Sequence, residues 1–117
     1  MLSEKIPGSE LFVFGEKNKW EVTGEGVKRK ILGYNSNLMM LVVDFKKGSI
    51  GAVHKHPHTQ TSYILTGSFE VQIASEKKIL KKGDCYFIPP DTEHGVTALE
   101  DSSLVDVFSP CRTDFLK

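Results

Sequence analysis

Histidines are concentrated in two short stretches of this sequence, and their spacing is typical of a metal site. Three of the four histidines lie in residues 48–67 (GSIGAVHKHPHTQTSYILTG), and the fourth ends residues 83–94 (GDCYFIPPDTEH). Glycines bound the first stretch and allow tight turns there. Neutral imidazole is the commonest metal-ligating side chain and suits zinc, copper, iron and nickel. We therefore predict one divalent metal ion as the cofactor.

The metal ligands are expected to come from separate strands. Residues two apart on a strand point the same way, so His54 and His56 can both face the interior. Pro57 is expected to break that strand, so that Gln60 returns from the next one. His94 follows a Pro-Pro turn much later in the chain. Three imidazoles and one amide oxygen would leave room for water or substrate on a metal that prefers six ligands.

Several side chains near the predicted ligands have open roles. Gln60 either ligates the metal through its amide oxygen or only forms hydrogen bonds to nearby groups. His58 is expected at the rim or behind the ligands, because Pro57 lies between it and the first two of them. Tyr63 and Tyr86 are candidates for the wall of the pocket.

Short strands must position these residues. Apolar segments recur at about ten-residue intervals with turn residues between them, which indicates an all-β sandwich or barrel. The expected strands cover residues 38–45, 62–66, 69–73, 78–80, 85–88, 96–99 and 104–108. Residues 38–45 are nearly all apolar, which predicts burial on both faces. Residues 11–14 (LFVF) are expected to form a short strand or a packing segment, and no segment has the stripe of a long helix.

Length and charge narrow the class of protein. A chain of 117 residues fits one domain whose core needs neither disulfides nor a structural metal. Lysine plus arginine equals aspartate plus glutamate, at 15 each, so no net charge favours nucleic acid or an anionic membrane surface. We expect neither as a partner, and local groups would have to hold any anionic ligand. The basic run at residues 28–30 is expected to be a solvated strand face.

The sequence also predicts a cytoplasmic protein. Its first ten residues lack an apolar run behind a basic head, so we expect no signal peptide. No stretch approaches the roughly 18 apolar residues that span a bilayer. Cys85 and Cys111 have no metal-ligand spacing and are expected to be free thiols, as in a reducing compartment.

The first histidine stretch resembles the first motif of the cupin family, G-x5-H-x-H-x3,4-E-x6-G. Gly48, His54, His56 and Gly67 are in register, and Gln60 stands in the glutamate slot. A glutamate would neutralise one unit of the metal's charge, whereas an amide leaves a stronger Lewis acid for an anionic substrate. Oxygen-activating cupins usually carry the carboxylate, so the glutamine disfavours dioxygenase chemistry.

The second stretch resembles the second cupin motif, G-x5-P-x-G-x2-H-x3-N. Gly83, Pro89 and His94 are in register, while Asp91 and Ala98 replace the family's glycine and asparagine. Two motifs in this order and at this separation are a specific signal.

The cupin resemblance implies the fold and the domain organisation. A single cupin barrel is about as long as this chain. We therefore expect one all-β domain over residues 1–117, a double-stranded β-helix or jelly-roll barrel, with its metal-site motifs at residues 48–67 and 83–98.

Within the cupins, the chain is similar to the small pectin-degradation proteins that linearise 4,5-unsaturated uronates. The similar segments are GVKRKILGY at residues 26–34, the LMMLVV run, GSIGAVHKHPHTQ, GSFEV and the tail DVFSPCRTDFL. This resemblance implies the metal ligands His54, His56, Gln60 and His94, and the active-site residues Asp106, Phe108 and Arg112.

The activity implied is a ring-opening isomerase that converts unsaturated uronates from pectin or alginate to linear 5-keto-4-deoxyuronate. Ring opening removes the proton of the anomeric hydroxyl, breaks the ring C–O bond and protonates C4. Charge develops on the C5 oxygen beside the carboxylate, where a cation binds it more strongly than it binds the ground state.

The three active-site candidates each have an ordinary alternative. Asp106 is the candidate general acid/base on an inward position of the last strand, or else a rim carboxylate in a salt bridge. Arg112 could clamp the substrate carboxylate through two parallel hydrogen bonds, or tether the C-terminus to the surface. Phe108 more often packs a core than touches a ligand.

Two other functions remain open at this stage. One is another metal-dependent cupin enzyme, such as a dioxygenase, and the other is a non-catalytic module that binds sugar acids. The sequence leaves the metal open among nickel, zinc, iron and manganese, and it does not name the preferred uronate. The resemblance also implies a small anionic sugar as substrate and a homodimer formed through an outer sheet face.

Overall fold

Ten antiparallel strands make up most of residues 6–117, the range that this computed structural model describes. They are β1 (Glu21–Gly24), β2 (Val27–Asn35), β3 (Leu38–Phe45), β4 (Ile50–His54), β5 (Thr59–Thr66), β6 (Ser68–Ile73), β7 (Glu76–Lys81), β8 (Cys85–Ile88), β9 (His94–Ala98) and β10 (Ser102–Ser109). Short 3₁₀ helices cover Gly15–Lys17 and Thr113–Leu116. In this described range, no helix is long and apolar enough to cross a membrane.

The strands form two sheets that pack face to face. One sheet has the order β1-β2-β3-β10-β5-β8, and the other has the order β4-β9-β6-β7. The last strand, β10, therefore lies between β3 and β5 and places its residues at the centre of the larger sheet. The predicted all-β jelly-roll barrel is confirmed. The expectations of no N-terminal leader and of a domain starting at residue 1 fall partly on residues 1–5, outside the described range.

The core lies between the sheets and follows the two-residue period of the strands. On β3, Met39, Leu41, Val43 and Phe45 are buried, while the alternate residues are exposed or half-buried. Phe45 meets Phe69 of the opposite sheet edge to face, with ring centroids 5.1 Å apart. The prediction that residues 38–45 are buried on both faces is therefore wrong, because Leu38 and Met40 on the outer face are 50% and 42% exposed.

Most predicted strands exist, with longer bounds than the sequence suggested. The bounds 38–45 and 85–88 match β3 and β8, whereas β5 begins three residues earlier than predicted and β9 begins at His94. Residues 11–14 form no strand, and Leu11 and Phe12 are 97% and 80% exposed. The prediction of a strand or packing segment is thus wrong for those two side chains.

Candidate metal centre

The ends of two paired strands bring together the histidines that the sequence singled out. His54 ends β4, His94 begins β9, and the two residues are partners across the antiparallel pair. The sequence predicted that His56 lies on the same strand as His54. It lies instead in the link between β4 and β5. The strand ends sooner because the chain must turn before Pro57, yet the link still brings His56 to the same point. The ring nitrogens of His54, His56 and His94 lie within 4.8 Å of one another.

Backbone carbonyl groups fix the tautomer of all three rings. Nδ1 of His54 lies 2.8 Å from the carbonyl oxygen of Ala52, and Nδ1 of His94 lies 2.8 Å from that of Thr92. Nδ1 of His56 is 3.1 Å from the carbonyl oxygen of His58. Because a carbonyl only accepts hydrogen bonds, each Nδ1 carries a proton, and in the neutral ring Nε2 then keeps its lone pair. Ligating histidines commonly have this arrangement, which orients the ring toward the metal.

The environment of His94 Nε2 fits a metal ligand. This nitrogen is buried and has no hydrogen-bond partner among residues 6–117, which is costly for a polar atom. Burial is also the main cause that lowers the pKa of His94 and of His56 below the ordinary value, so both rings favour the neutral, ligating form. The His54/His56/His94 cluster can therefore bind a metal ion.

Gln60 turns its amide oxygen toward the histidines. Its Nε2 donates to Ser62 Oγ at 2.9 Å and to Asp106 Oδ1 at 3.2 Å, so Oε1 faces His56 Nε2 at 2.9 Å. Given the tautomer of His56, both of these facing atoms are acceptors. A cation bound by both atoms would reconcile them, since neighbouring ligands of a six-coordinate metal are about 3 Å apart.

Asp106 lies on the inner face of β10, opposite Ser62 of β5. Ser62 Oγ donates to Oδ1 of Asp106 at 2.5 Å, and the Gln60 amide donates to the same oxygen. Burial raises the pKa of Asp106 to about 6, although these hydrogen bonds and the nearby Arg112 charge oppose the rise. Within the described chain Asp106 forms no salt bridge, so the rim salt-bridge alternative is not supported.

Phe108 and Arg112 complete one side of the pocket. Phe108 is buried, and its ring centroid lies 5.6 Å from that of His56. The Arg112 guanidinium lies 5.1 Å from the Phe108 ring and 4.1 Å from the Phe115 ring, and it pairs with Asp114 through two hydrogen bonds of 3.1 and 3.0 Å. Arg112 therefore lies at the pocket, while its ion pair with Asp114 is local to the C-terminal segment.

A cavity of about 250 Å³ joins most of the predicted site residues. Its lining includes His54, Gln60, His94, Asp106, Phe108 and Arg112, together with Tyr86. Of the two tyrosines predicted as candidates for the pocket wall, Tyr86 lines the cavity. Tyr63 does not, since it is 46% exposed on the outer face of β5. His58 lies outside the three-histidine cluster and meets the rings of His56 and Phe108 edge to face, with centroids 5.4 and 6.4 Å away.

Sequence reasoning missed three residues of this pocket. Ser62, Arg29 and Phe115 contact or line it, although none was singled out as a site residue. The two-residue period of a strand was the available signal, because Ser62 shares a face with Gln60 and Arg29 shares a face with Val27. In the basic run at residues 28–30 only Lys28 is exposed, whereas Arg29 and Lys30 are half-buried.

The fold and the histidine cluster define a jelly-roll protein with a three-histidine site that can hold a metal ion. A model of the cupin domain matches residues 41–108, a span that includes His54, Gln60, His94 and Asp106. The chain belongs to the cupin family.

The chain is also similar to individual members of the cupin family. The chain is 49% identical to the pectin degradation protein KdgF of Dickeya dadantii over 107 residues, which are 90% of this chain and 97% of that protein. A solved RmlC-like cupin from Shewanella frigidimarina is 43% identical with a TM-score of 0.91, covering 94% of this chain and 99% of its own. The structure of KdgF from Halomonas sp. is 38% identical with a TM-score of 0.87, covering 92% and 99%.

Proposed function

We propose that this protein is a metal-dependent isomerase that opens the ring of 4,5-unsaturated uronates to give linear 5-keto-4-deoxyuronate. The observation that carries the proposal is a buried carboxyl, Asp106, hydrogen-bonded to the Gln60 amide whose oxygen faces the histidine cluster. The similarity to a pectin degradation protein over nearly the whole chain supports the same function.

The reaction is an isomerisation, and it places a specific demand on the protein. The anomeric hydroxyl loses its proton, the bond between C1 and the ring oxygen breaks, and an aldehyde forms at C1. The electron pair stays on the oxygen attached to C5 as an enolate, and a proton added at C4 gives the 5-keto product. One proton leaves and one is added, so no oxidant is consumed and one acid/base group is sufficient.

Asp106 is suited to this acid/base role. Its pKa of about 6 lets it be ionised at neutral pH, accept the anomeric proton and return a proton afterwards. Ser62 and Gln60 both donate to Oδ1, which holds the carboxyl in one orientation in the pocket.

The metal site is proposed to consist of His54, His56, Gln60 and His94. A bound divalent cation would act as a Lewis acid that stabilises negative charge on substrate oxygens. Because Gln60 is neutral, the ligand set adds no negative charge to the pocket. Three imidazoles and an amide oxygen are compatible with nickel, zinc, iron or manganese.

Arg112 and Phe108 are proposed to bind and position the sugar. The Arg112 guanidinium would hold the substrate carboxylate, while Phe108 would bound the pocket beneath the sugar ring and support His56. A small anionic monosaccharide fits a cavity of about 250 Å³ better than a polymer does.

The product distinguishes this function from the others. Proton NMR of an unsaturated galacturonate incubated with the metal-loaded protein should show loss of the C4 alkene proton and growth of the linear keto-acid, without oxygen uptake. Substrate-dependent oxygen consumption would indicate a dioxygenase instead. Saturable binding with an unchanged sugar would indicate a non-catalytic binding module.

We also propose a homodimer that forms through the outer face of the larger sheet. Apolar side chains cover this face across β3, β10, β5 and β8: Met40, Val42, Val105, Val107, Tyr63 and Phe87. Three of them, Met40, Tyr63 and Phe87, are 42%, 46% and 57% exposed. A contiguous apolar sheet face of this kind usually marks a protein interface, and a second copy offers the matching apolar face.

We also propose a cytoplasmic location for this protein. Cys85 is an exposed, free cysteine, and free thiols are typical of reducing compartments. Alkylation of freshly lysed cells should label Cys85 without prior reduction, whereas labelling only after reduction would contradict this location.

A further inference from the structure

Arg29 is a charged residue on the inner face of the larger sheet, where most neighbours are apolar. It lies on β2 opposite Val43 of β3, and its side chain is 17% exposed. The flanking lysines of the basic run instead lie on the outer face, where Lys28 and Lys30 approach the Trp20 ring. Arg29 lines the same cavity as His54, Asp106 and Arg112. A charge in this position requires a partner.

The protein itself supplies only part of that partnership. Arg29 Nε donates to Glu21 Oε1 at 2.8 Å, and the guanidinium carbon lies 3.7 Å from the centroid of the Phe115 ring. Within residues 6–117, no group accepts a hydrogen bond from either Nη atom. Glu21 and Phe115 thus fix the side chain and leave its terminal fork of N–H groups uncommitted.

Arg112, unlike Arg29, already uses part of its terminal fork of N–H groups. Its Nε and Nη2 already donate to the two carboxylate oxygens of Asp114. Both arginines contact the same Phe115 ring, at 3.7 and 4.1 Å from its centroid, so they belong to one wall of the pocket. Arg29 is the one of the two whose terminal fork is free to form a parallel pair of hydrogen bonds with a carboxylate.

We propose that Arg29 is a substrate-binding residue that pairs with the substrate carboxylate and selects anionic over neutral sugars. The proposal rests on the proposed uronate substrate, whose only ionised group is this carboxylate. Glu21 and Phe115 are positioning residues, because both contact the guanidinium and hold it in place. Arg112 would contact the same carboxylate only through Nη1, the group that its two hydrogen bonds to Asp114 do not use.

Kinetics of the Arg29→Gln variant test this role. Loss of one charge-assisted pair should raise KM for unsaturated galacturonate by about 10- to 100-fold, with a much smaller change in kcat. Lys28→Gln removes the same charge from the adjacent residue on the outer face and should leave both constants unchanged. Arg29→Lys keeps the charge without the fork and should give an intermediate KM. A native KM in the folded Arg29→Gln variant would overturn the proposal.

The uronamide of the same sugar separates carboxylate binding from contacts to hydroxyl groups. This substrate analogue lacks the negative charge, so Arg29→Gln should change its KM by less than about threefold. An equal loss with the acid and the amide would show that Arg29 contacts another part of the sugar, which contradicts the proposal.

Binding of saturated galacturonate tests Arg29 independently of turnover. Calorimetry should show at least about tenfold weaker binding to Arg29→Gln than to native or Lys28→Gln protein, and no such difference with galactose. This pattern without turnover by native protein would keep the Arg29 assignment and reject the proposed reaction. Equal binding by native and Arg29→Gln protein, or no binding by either, would reject the assignment.

Discussion

Asp106 shows how single residues set the chemistry of this site. The carboxyl is buried beside a cluster of imidazoles, and it accepts hydrogen bonds from Ser62 and Gln60. Gln60 serves both sides, since its amide nitrogen orients Asp106 while its oxygen faces His56. A glutamate at this position would place a second carboxylate against Asp106, and like charges this close would raise the pKa values of the pair. The glutamine thus matches a site that uses one carboxyl as its acid/base.

The raised pKa of Asp106 predicts a cost in stability at neutral pH. Its pKa rises from an ordinary 3.8 to about 6 because the carboxyl is buried. A carboxyl with a raised folded-state pKa stabilises the fold at low pH, and this contribution is lost as the pH rises through about 6. Asp106→Asn should therefore gain stability over native protein between pH 4 and pH 8, by about 1–3 kcal/mol.

Urea unfolding of both chelator-treated proteins at the two pH values measures this change. A stability difference that is the same at pH 4 and pH 8 would show that Asp106 does not titrate with a raised pKa. The same variant should lose at least about 100-fold in kcat when loaded with metal, because the acid/base group is gone.

At the scale of the elements, the turn between β5 and β6 contains Gly67, the last residue of the first motif. Gly67 has a φ of +77°, and a Cβ atom at this position would lie 2.0 Å from Ser102 Oγ. Ser102 is itself committed, since its hydroxyl accepts from the amide of Ser68 and donates to the carbonyl oxygen of Glu100. The glycine therefore allows β10, which carries Asp106, to begin directly against this turn.

Substituting this glycine should destabilise the fold more than substituting a comparable one. Gly83 also has a positive φ, +95°, but a Cβ atom there meets nothing within 4 Å. Gly83→Ala should cost about 1–2 kcal/mol from backbone strain alone. Gly67→Ala should cost about 1–3 kcal/mol more, because Ser102 must move. Equal losses in chemical denaturation would show that the contact with Ser102 is unimportant.

The elements also show what the sequence could and could not predict. The strand predicted at residues 69–73 lies within β6, and its two-residue alternation matches the burial of Phe69 and Val71. The run at residues 38–45 is apolar on both faces, so its period could not show that one face lies outside the barrel. The same rule placed His56 on the strand of His54, although β4 ends at His54. The inward position of Arg29 could not be predicted, because it lies between two lysines and three like charges in a row do not show which face of the strand is buried.

At the scale of the whole molecule, the apolar outer face of the larger sheet bears on the oligomeric state. Phe87 pairs with Thr61 on this face and is 57% exposed. None of the apolar residues on this outer face lines the cavity of about 250 Å³, so association through the face would leave the cavity open. A stable interface needs about 800 Å² from each partner, which a sheet face of several strands can supply.

Phe87→Glu should convert the dimer to a monomer. Light scattering coupled to gel filtration should give twice 13.1 kDa for native protein and 13.1 kDa for the variant. Ile79→Glu is the matched control, since Ile79 is 69% exposed on the smaller sheet, and this variant should remain dimeric. A native monomer, or a Phe87→Glu dimer, would contradict the proposed interface.

The most direct test of the central claim is an ultraviolet assay on unsaturated galacturonate freshly released by a lyase. The conjugated C4–C5 alkene absorbs, whereas the linear keto-acid does not. Native metal-loaded protein should accelerate the loss of absorbance at least about 100-fold over the spontaneous rate. Gln60→Ala, which removes the amide between the histidine cluster and Asp106, should bring the rate close to the spontaneous one. A spontaneous rate with native protein of confirmed metal content would contradict the account.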